Sequence, residues 1–429
     1  MGKLRIGIAG LGTVGCGTLA LIERNRALIE QRTGQTLEVV AVCARDRART
    51  RPVDLAGMRW FDDPKALAAD PGVDVVCELI GGSEGPALET VREALRLGKP
   101  VVTANKAMLA HHGAELARLA EQAGVQLAWE AAVAGGIPIV KSLREGLAAN
   151  RIRRVNGILN GTSNYILTSM RETGRDFETV LAEAQALGYA EADPSFDVDG
   201  IDAAHKLALL ASLAFGGRPR FDAIHVEGIR HVAAIDIAFA EELGYRIKLL
   251  GTARMTPEGL EQRLHPCMVA KDAPIAQVNG VFNGVVVEGE DVDAVLHEGR
   301  GAGAGPTASA VVADLVDIAR GTRVPTLGVP AERLADHPIA PMAAHEGSYY
   351  IRLMVVDRSG VMADISAVLR DHDVSIEALI QRSRNPGQAV PIVLTSHETT
   401  EARMTAALAR IAELEVVLEQ PRMIRIERL

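Results

Sequence analysis

Apolar residues in the first 133 positions fall into short, nearly continuous runs: LRIGIA (4–9), LEVVAVCA (37–44), VDVVCELI (73–80), PVVTANK (100–106) and VQLAWEAAV (125–133). Stretches with helical spacing separate them, such as PALETVREALRLG and HHGAELARLAEQAG. Short runs with little polar alternation belong to strands covered on both faces, so the alternation predicts a parallel sheet flanked by helices. One helix is expected from the first glycine turn through about residue 30.

From Gly135 the pattern changes. GGIPIVKSLREGL predicts a helix with Pro138 near its start, and VNGILNGTSNYIL a strand, a Gly-Thr-Ser turn and a helix. FETVLAEAQALG is amphipathic and stops at Gly188. The helix LALLASLAF is apolar almost all round and must be largely buried. RIKLLGTARM, LEQRLHPCMVA, NGVVVEG and DAVLHEG predict a mixed sheet with helices on one side, a surface that often forms a subunit contact. GRGAGAGPTASAVVADLVDIAR (299–320) is a second glycine-rich loop before a helix, 306–320, expected to return toward the first domain. Pro325, Pro330, Pro338 and Pro341 mark a linker. The tail then reads SYYIRLMVVD, VMADISAVLRDHD, SIEALIQRS, AVPIVLTS, EARMTAALARIAEL and MIRIERL, the βαββαβ order of a ferredoxin-like unit. The expected fold class is α/β, with domains at 1–134, 135–322 and 347–429 and a linker at 323–346. The tail alone offers no nucleophile or metal cluster and reads as a ligand-sensing or dimerisation module.

Composition narrows the function classes. A chain of 429 residues exceeds one core. A net charge of −9 argues against a general nucleic-acid or membrane-surface binder, and no apolar run is long enough to span a bilayer. Aromatics are only 3%, so close helix–sheet packing falls to small residues. Cys16, Cys43, Cys77 and Cys267 show no CxxC or zinc spacing, and no signal-peptide pattern precedes the first strand. A cytoplasmic protein with free thiols is expected, so the sequon at Asn160-Gly161-Thr162 carries no weight.

Three motifs carry chemistry. GLGTVG (10–15) sits between a strand and a helix, the context a dinucleotide fingerprint requires. Gly10 makes the turn, Gly12 admits a pyrophosphate and Gly15 allows helix–strand contact, with Leu11, Thr13 and Val14 completing the loop. The residue after the second strand selects the cofactor. Arg45 stands there and favours NADP, while Asp46 leaves NAD open. The interval to this turn exceeds the usual ~20 residues, which a long first helix and loop would explain. Ser83 follows the third strand, and Thr103 and Lys106 follow the fourth, where ligands of open α/β sheets sit. Gly303 lies in the second glycine-rich loop, which either approaches the cofactor or acts as a hinge.

The third motif is GYAEADPSFDVDGIDAAHK (188–206). It gathers Glu191, Asp193, Asp197, Asp199 and Asp202 and then opens the buried helix. Asp202 and Lys206 are four apart and share a face. They form either a helix-start ion pair or a catalytic acid–amine pair.

Together GLGTVG, VVTANKA, EAAVAGGIPI, NGILNGTSNYI, the 188–206 motif and GAGAGPTASAVVAD resemble bacterial homoserine dehydrogenases with a C-terminal ACT domain, over essentially the whole chain. The resemblance implies interconversion of L-homoserine and L-aspartate 4-semialdehyde on the route to threonine, methionine and isoleucine. It implies Lys206 as acid/base, Asp202, Glu191, Asp197 and Gly188 at the substrate, and Lys106 between substrate and nicotinamide. It further implies a sodium ion at Glu130 with carbonyls of Val133, Gly135 and Ile137, threonine feedback through the ACT module, and a homodimer or tetramer. Two rivals remain. Another amino-acid-pathway dehydrogenase with an ACT module is one, although aspartate-semialdehyde dehydrogenase needs an active-site cysteine that the strand-embedded Cys43 and Cys77 do not suit. An inactive amino-acid sensor is the other, disfavoured by the intact Asp202/Lys206 pair.

Overall fold

The computed structural model describes residues 2–382 and 386–429. The first domain is a six-stranded parallel sheet in the order β3-β2-β1-β4-β5-β6, formed by β1 (Gly2–Ala9), β2 (Gln35–Cys43), β3 (Arg59–Phe61), β4 (Val75–Glu78), β5 (Val101–Thr103) and β6 (Leu127–Ala128). The order reverses between β1 and β4, which opens a crevice at the strands' carboxyl ends. The helices covering the sheet are α1 (Thr13–Arg24), α2 (Arg26–Thr33), α3 (Pro64–Ala69), α4 (Pro86–Arg96) and α5 (Lys106–Ala123). Two details differ from expectation. The edge strand β3 is too short to show a pattern, and the helix expected through residue 30 breaks at Asn25 (φ −108°) into α1 and α2.

The middle domain contributes β7 (Ile152–Ile158), β8 (His225–Val226), β9 (Tyr245–Thr256), β10 (Gly259–Ala270), β11 (Phe282–Gly289) and β12 (Asp293–Arg300). Its helices are α6 (Ile139–Lys141), α7 (Gly161–Thr173), α8 (Phe177–Ala186), α9 (Ser195–Val198), α10 (Ile201–Phe215), α11 (Ala234–Glu242) and α12 (Ala304–Ala319). The helix expected from Gly135 is only one turn, α6. Ser142–Gly146 follows with a wider winding, in which Leu147 N donates to Ser142 O at 2.7 Å. Helix α10 is buried along nearly all its length. Helix α12 returns to the first domain and lies against α1 so closely that a β-carbon on Gly17 would come within 2.6 Å of Ala304 O. Ala310, Val311 and Leu315 thereby join the core of Ile6, Ile8 and Leu19.

The tail forms β13 (Glu346–Val356), α13 (Val361–Asp371), β14 (Ile376–Ile380), β15 (Ala389–Ser396), β16 (Thr399–Thr400), α14 (Glu401–Ala412) and β17 (Arg422–Glu427). This is the βαββαβ order with one added two-residue strand; the end of the expected strand SIEALIQRS, at Ser383, lies outside the described residues. The proline-rich stretch is packed rather than free. Leu327, Ala331 and Leu334 are buried, and Thr326 O accepts the Trp129 indole N–H at 2.9 Å.

The middle and tail sheets are continuous. Strand β17 pairs in parallel with β10, Cys267 opposite Arg425 and Val269 opposite Glu427, giving eleven strands in all, with β8 also on β10 and β16 on β13. Charged side chains fill this seam. Arg263 binds Glu427 (2.5 Å) and Glu261 (3.2 Å), His345 meets Glu261 (2.7 Å), and Arg425 bridges Glu401 and Glu227 (2.8 Å to Glu227). His265, Cys267 and Glu427 come close enough to share a metal ion, so the tail does supply one member of such a cluster once it is docked.

Candidate active site

A cleft of about 610 Å³ opens where the carboxyl end of the parallel sheet faces the middle domain. The first glycine turn forms one wall. Gly10 takes φ +108°, and a β-carbon there would lie 2.3 Å from Leu79 O; at Gly15 one would lie 2.0 Å from Gly10 O. At Gly12 nothing lies within 4 Å of the same position. The turn is thus tight where it packs and open where a pyrophosphate would approach the start of α1. Thr13 and Val14 line the cleft, while the Leu11 side chain is buried in the core. From the middle domain, Gly135 and Gly303 reach the opposite wall.

The chemical centre lies at the junction of α5, α7 and α10. Lys206 Nζ is 2.6 Å from Asp202 Oδ2 and 2.7 Å from Leu159 O. Lys106 Nζ is 3.0 Å from Asp202 Oδ1. One carboxylate thus holds two ammonium groups, and all three side chains line the cleft. Asp202 and Lys206 are 5% and 8% exposed, which excludes a solvated helix-start pair. Burial opposes the Asp202 charge, but Lys206 and Lys106 overcome it and hold the carboxyl well below its usual range. Burial also lowers the Lys206 pKa; Asp202 opposes that shift and Lys106 adds to it, leaving the ammonium more acidic than a free lysine.

Asp197 also lines the cleft, and burial raises its pKa. The Asn160 amide bridges it to Asp202, at 2.7 and 2.9 Å. Gly188 lies on the wall, but Glu191 is exposed on the following loop and does not line the cleft. Ser83 is half-buried after β4, and Thr103 is buried with its hydroxyl given to Glu78 Oε2 at 2.6 Å; neither lines the cleft. Arg45 is exposed beyond β2. Asp46 turns back on its own backbone, accepting the N–H groups of Ala48 (2.8 Å) and Arg49 (3.2 Å).

Glu130 is buried behind the cleft. Its two oxygens accept the backbone N–H groups of Val140 and Lys141, both at 2.9 Å. Burial and then the neighbouring Asp314 push its pKa up to about 7. The backbone between Val133 and Ile137 bends through two left-handed residues, Ala134 (φ 54°) and Gly135 (φ 49°).

Several wall residues escaped the sequence reading. Asn160 appeared there only in a sequon of no weight and within NGILNGTSNYI, and Tyr189 only as part of the acidic loop. Asn283 is buried with neither side-chain amide atom paired; its carboxamide packs against Gly301, where a β-carbon would come within 2.2 Å. Nothing in its strand pattern marks it.

The sequence matches the homoserine dehydrogenase family over residues 138–316, the homoserine dehydrogenase NAD-binding domain over 10–130 and the ACT domain over 349–416. A homoserine dehydrogenase of Pseudomonas aeruginosa is 48% identical, each chain covered in full. The crystal structure of one from Thiobacillus denitrificans is 47% identical with a TM-score of 0.94, covering 99% of this chain and 98% of that one. A hyperthermophilic archaeal homoserine dehydrogenase in complex with NADPH is 27% identical with a TM-score of 0.64, over 75% of this chain and 99% of its own. With matched domains, a matched fold and close identity along its whole length, the chain belongs to the homoserine dehydrogenase family of nicotinamide-dependent oxidoreductases.

Proposed function

We propose that Lys206 is the acid/base of this homoserine dehydrogenase, that NADPH is its preferred reductant, and that its direction in the cell is reduction of L-aspartate 4-semialdehyde to L-homoserine. The carrying observation is the Lys106–Asp202–Lys206 chain on the cleft wall, across from the glycine turn. Bound in the cleft, the nicotinamide supplies the hydride that reduces the aldehyde carbon. An ammonium has three N–H donors. In Lys206 two are held by Asp202 and Leu159 O, so the third is left to meet the carbonyl oxygen. As negative charge develops there, Lys206 gives up its proton, and its lowered pKa makes that transfer easier. Lys106 stabilises the same charge while Asp202 keeps it oriented. Asp197 faces the substrate ammonium, and Glu191 joins it only if the loop moves inward.

Arg45 supports NADPH, and Asp46, the competing ribose ligand, turns its Oδ1 back onto its own loop. A sodium ion fits Glu130 and the carbonyls of Val133, Gly135 and Ile137. Three acids, the buried Glu130 and Asp314 and the half-buried Asp317, share Lys141 as their counter-charge, at 3.3 Å from Asp314. The Ile137 carbonyl already accepts Ile139 N at 2.8 Å, so it is the weakest of the four candidate ligands. Such an ion would supply counter-charge and pin the bent segment. The ACT module supports threonine feedback, and the open edge strand β12 supports a homo-oligomer built through the middle domain. Four unpaired cysteines suit a cytoplasmic setting, and no described helix is long and apolar enough to cross a membrane. Initial rates of NADPH and NADH consumption with L-aspartate 4-semialdehyde, with and without L-threonine, test these points. Faster turnover with NADPH and a fall with threonine are expected; equal use of both cofactors, or indifference to threonine, defeats the corresponding proposal.

A further inference from the structure

We infer that Asn160 is a positioning residue for the reaction: its amide clamps Asp197 to Asp202 and keeps Asp202 aimed at both lysines. The side chain is fixed at both ends. Its Oδ1 accepts the Ser163 N–H at 2.8 Å, capping α7, so its Nδ2 must face the acids. The opposite orientation would set an amide oxygen against two carboxylates. The two Nδ2 protons are fully used, one for Asp197 Oδ1 and one for Asp202 Oδ2. The acids come from separate helices, α9 and α10, and like charges so close need a shared donor. Ser163 Oγ also donates to Asp197 O at 3.0 Å, tying α9 to the same helix end. The preceding residue, Leu159, accepts from Lys206. Two consecutive residues at the β7–α7 corner therefore orient both members of the Asp202–Lys206 pair. A helix cap alone requires only the Oδ1 contact, and serine would serve that purpose equally well. Serine cannot donate to both carboxylates.

This inference rests on Lys206 as the acid/base. N160S keeps a helix cap and removes the clamp. Expected are a thermal midpoint near the parent's, an unchanged KM for NADPH, and a kcat lower by about ten- to hundredfold, the rate equivalent of one charge-assisted hydrogen bond. The acid limb of the kcat/KM pH profile should move up by about one pH unit, because carboxylates that lose a donor take up a proton more readily. N160D keeps both cap and shape but adds a third carboxylate, and should move the limb further. A parent-like kcat and a superimposable pH profile in N160S overturn the inference, whatever the stability shows. If N160S fails to fold, an unmoved acid limb in N160D does the same. K206A separates the two failures: full activity there defeats the reading of the whole site, whereas an inactive K206A beside a parent-like N160S defeats only the role of Asn160.

Discussion

The cleft and the seam between the middle sheet and the ACT module each bury several charged side chains. At the seam acids and bases are matched, each arginine serving two carboxylates, and burial, which works against these charges, is overcome. Arg263 and Arg425 are held above the usual arginine range, Glu261 and Glu427 below the usual carboxylate range, and Glu227 at about 2. His265 is driven neutral and Cys267 kept as a thiol by burial first and neighbouring charges second. Arg263 already occupies Glu427, one of the three potential metal ligands. In the cleft the balance is incomplete: two ammonium groups lean on one carboxylate, Lys206 is lowered and Asp197 raised. Burial of charge is common to both. Imbalance and the size of the adjoining cavity, about 610 Å³ at the cleft against about 90 Å³ at the seam, set apart the one proposed to do chemistry.

Four changes would break or sharpen this contrast. The largest effect is expected from K206A: a kcat lower by on the order of 10²–10⁴ with NADPH affinity and denaturation midpoint near the parent's. A mutant that turns over normally would place the cleft with the seam. Next is R263L, which strands Glu427 and removes one of the three partners of Glu261, leaving Arg254 and His345. It should cost about 3–5 kcal/mol in chemical denaturation while the folded fraction keeps its kcat. A stable R263L with low kcat would make the seam part of the reaction. R45D tests whether an exposed charge can matter more to function than a buried one. Its NADPH-to-NADH preference should fall on the order of tenfold, about one charge-assisted contact; an unchanged ratio removes Arg45 from recognition. The smallest effect concerns Glu130, which is neither fully paired nor facing the cleft. Its folded pKa is about 7 against an ordinary 4.5, so the folded state binds the extra proton and stability falls as pH rises through that window. Sodium should replace that proton. The thermal midpoint above pH 7 should be higher in NaCl than in tetramethylammonium chloride, with no difference below pH 4.5. Equal midpoints at high pH would remove the ion.

Asp202 and Lys206 were legible because an i,i+4 pair is a local property of a helix, and Lys106 because strand ends of open sheets collect ligands. Asn160 was not, since its partners lie 37 and 42 residues away on other helices. Nor was the seam. Glu261, Arg263 and His265 fall on one face of β10, which reads as a half-solvated strand, and only the docked tail converts that polar face into an interior. The break at Asn25 and the one-turn α6 failed for the opposite reason. Helical spacing continues through both, while the backbone is redirected by contacts that spacing does not encode, such as the Glu130 carboxylate on the N–H groups of α6.

The parallel pairing of β17 with β10 has a practical corollary. The outer rim of β10 is covered in pieces, by β8 at Arg263 and Leu264, by β17 from Cys267 to Val269, and by a bridge from Leu260 to Ile339. Deleting the ACT module would strip one of these covers and take Glu427 from the Arg263 guanidinium, leaving it only Glu261 inside the protein. The exposed rim would then recruit other copies. Aggregation is the outcome to expect from truncation, and point changes that leave the last strand in place are the sounder engineering route.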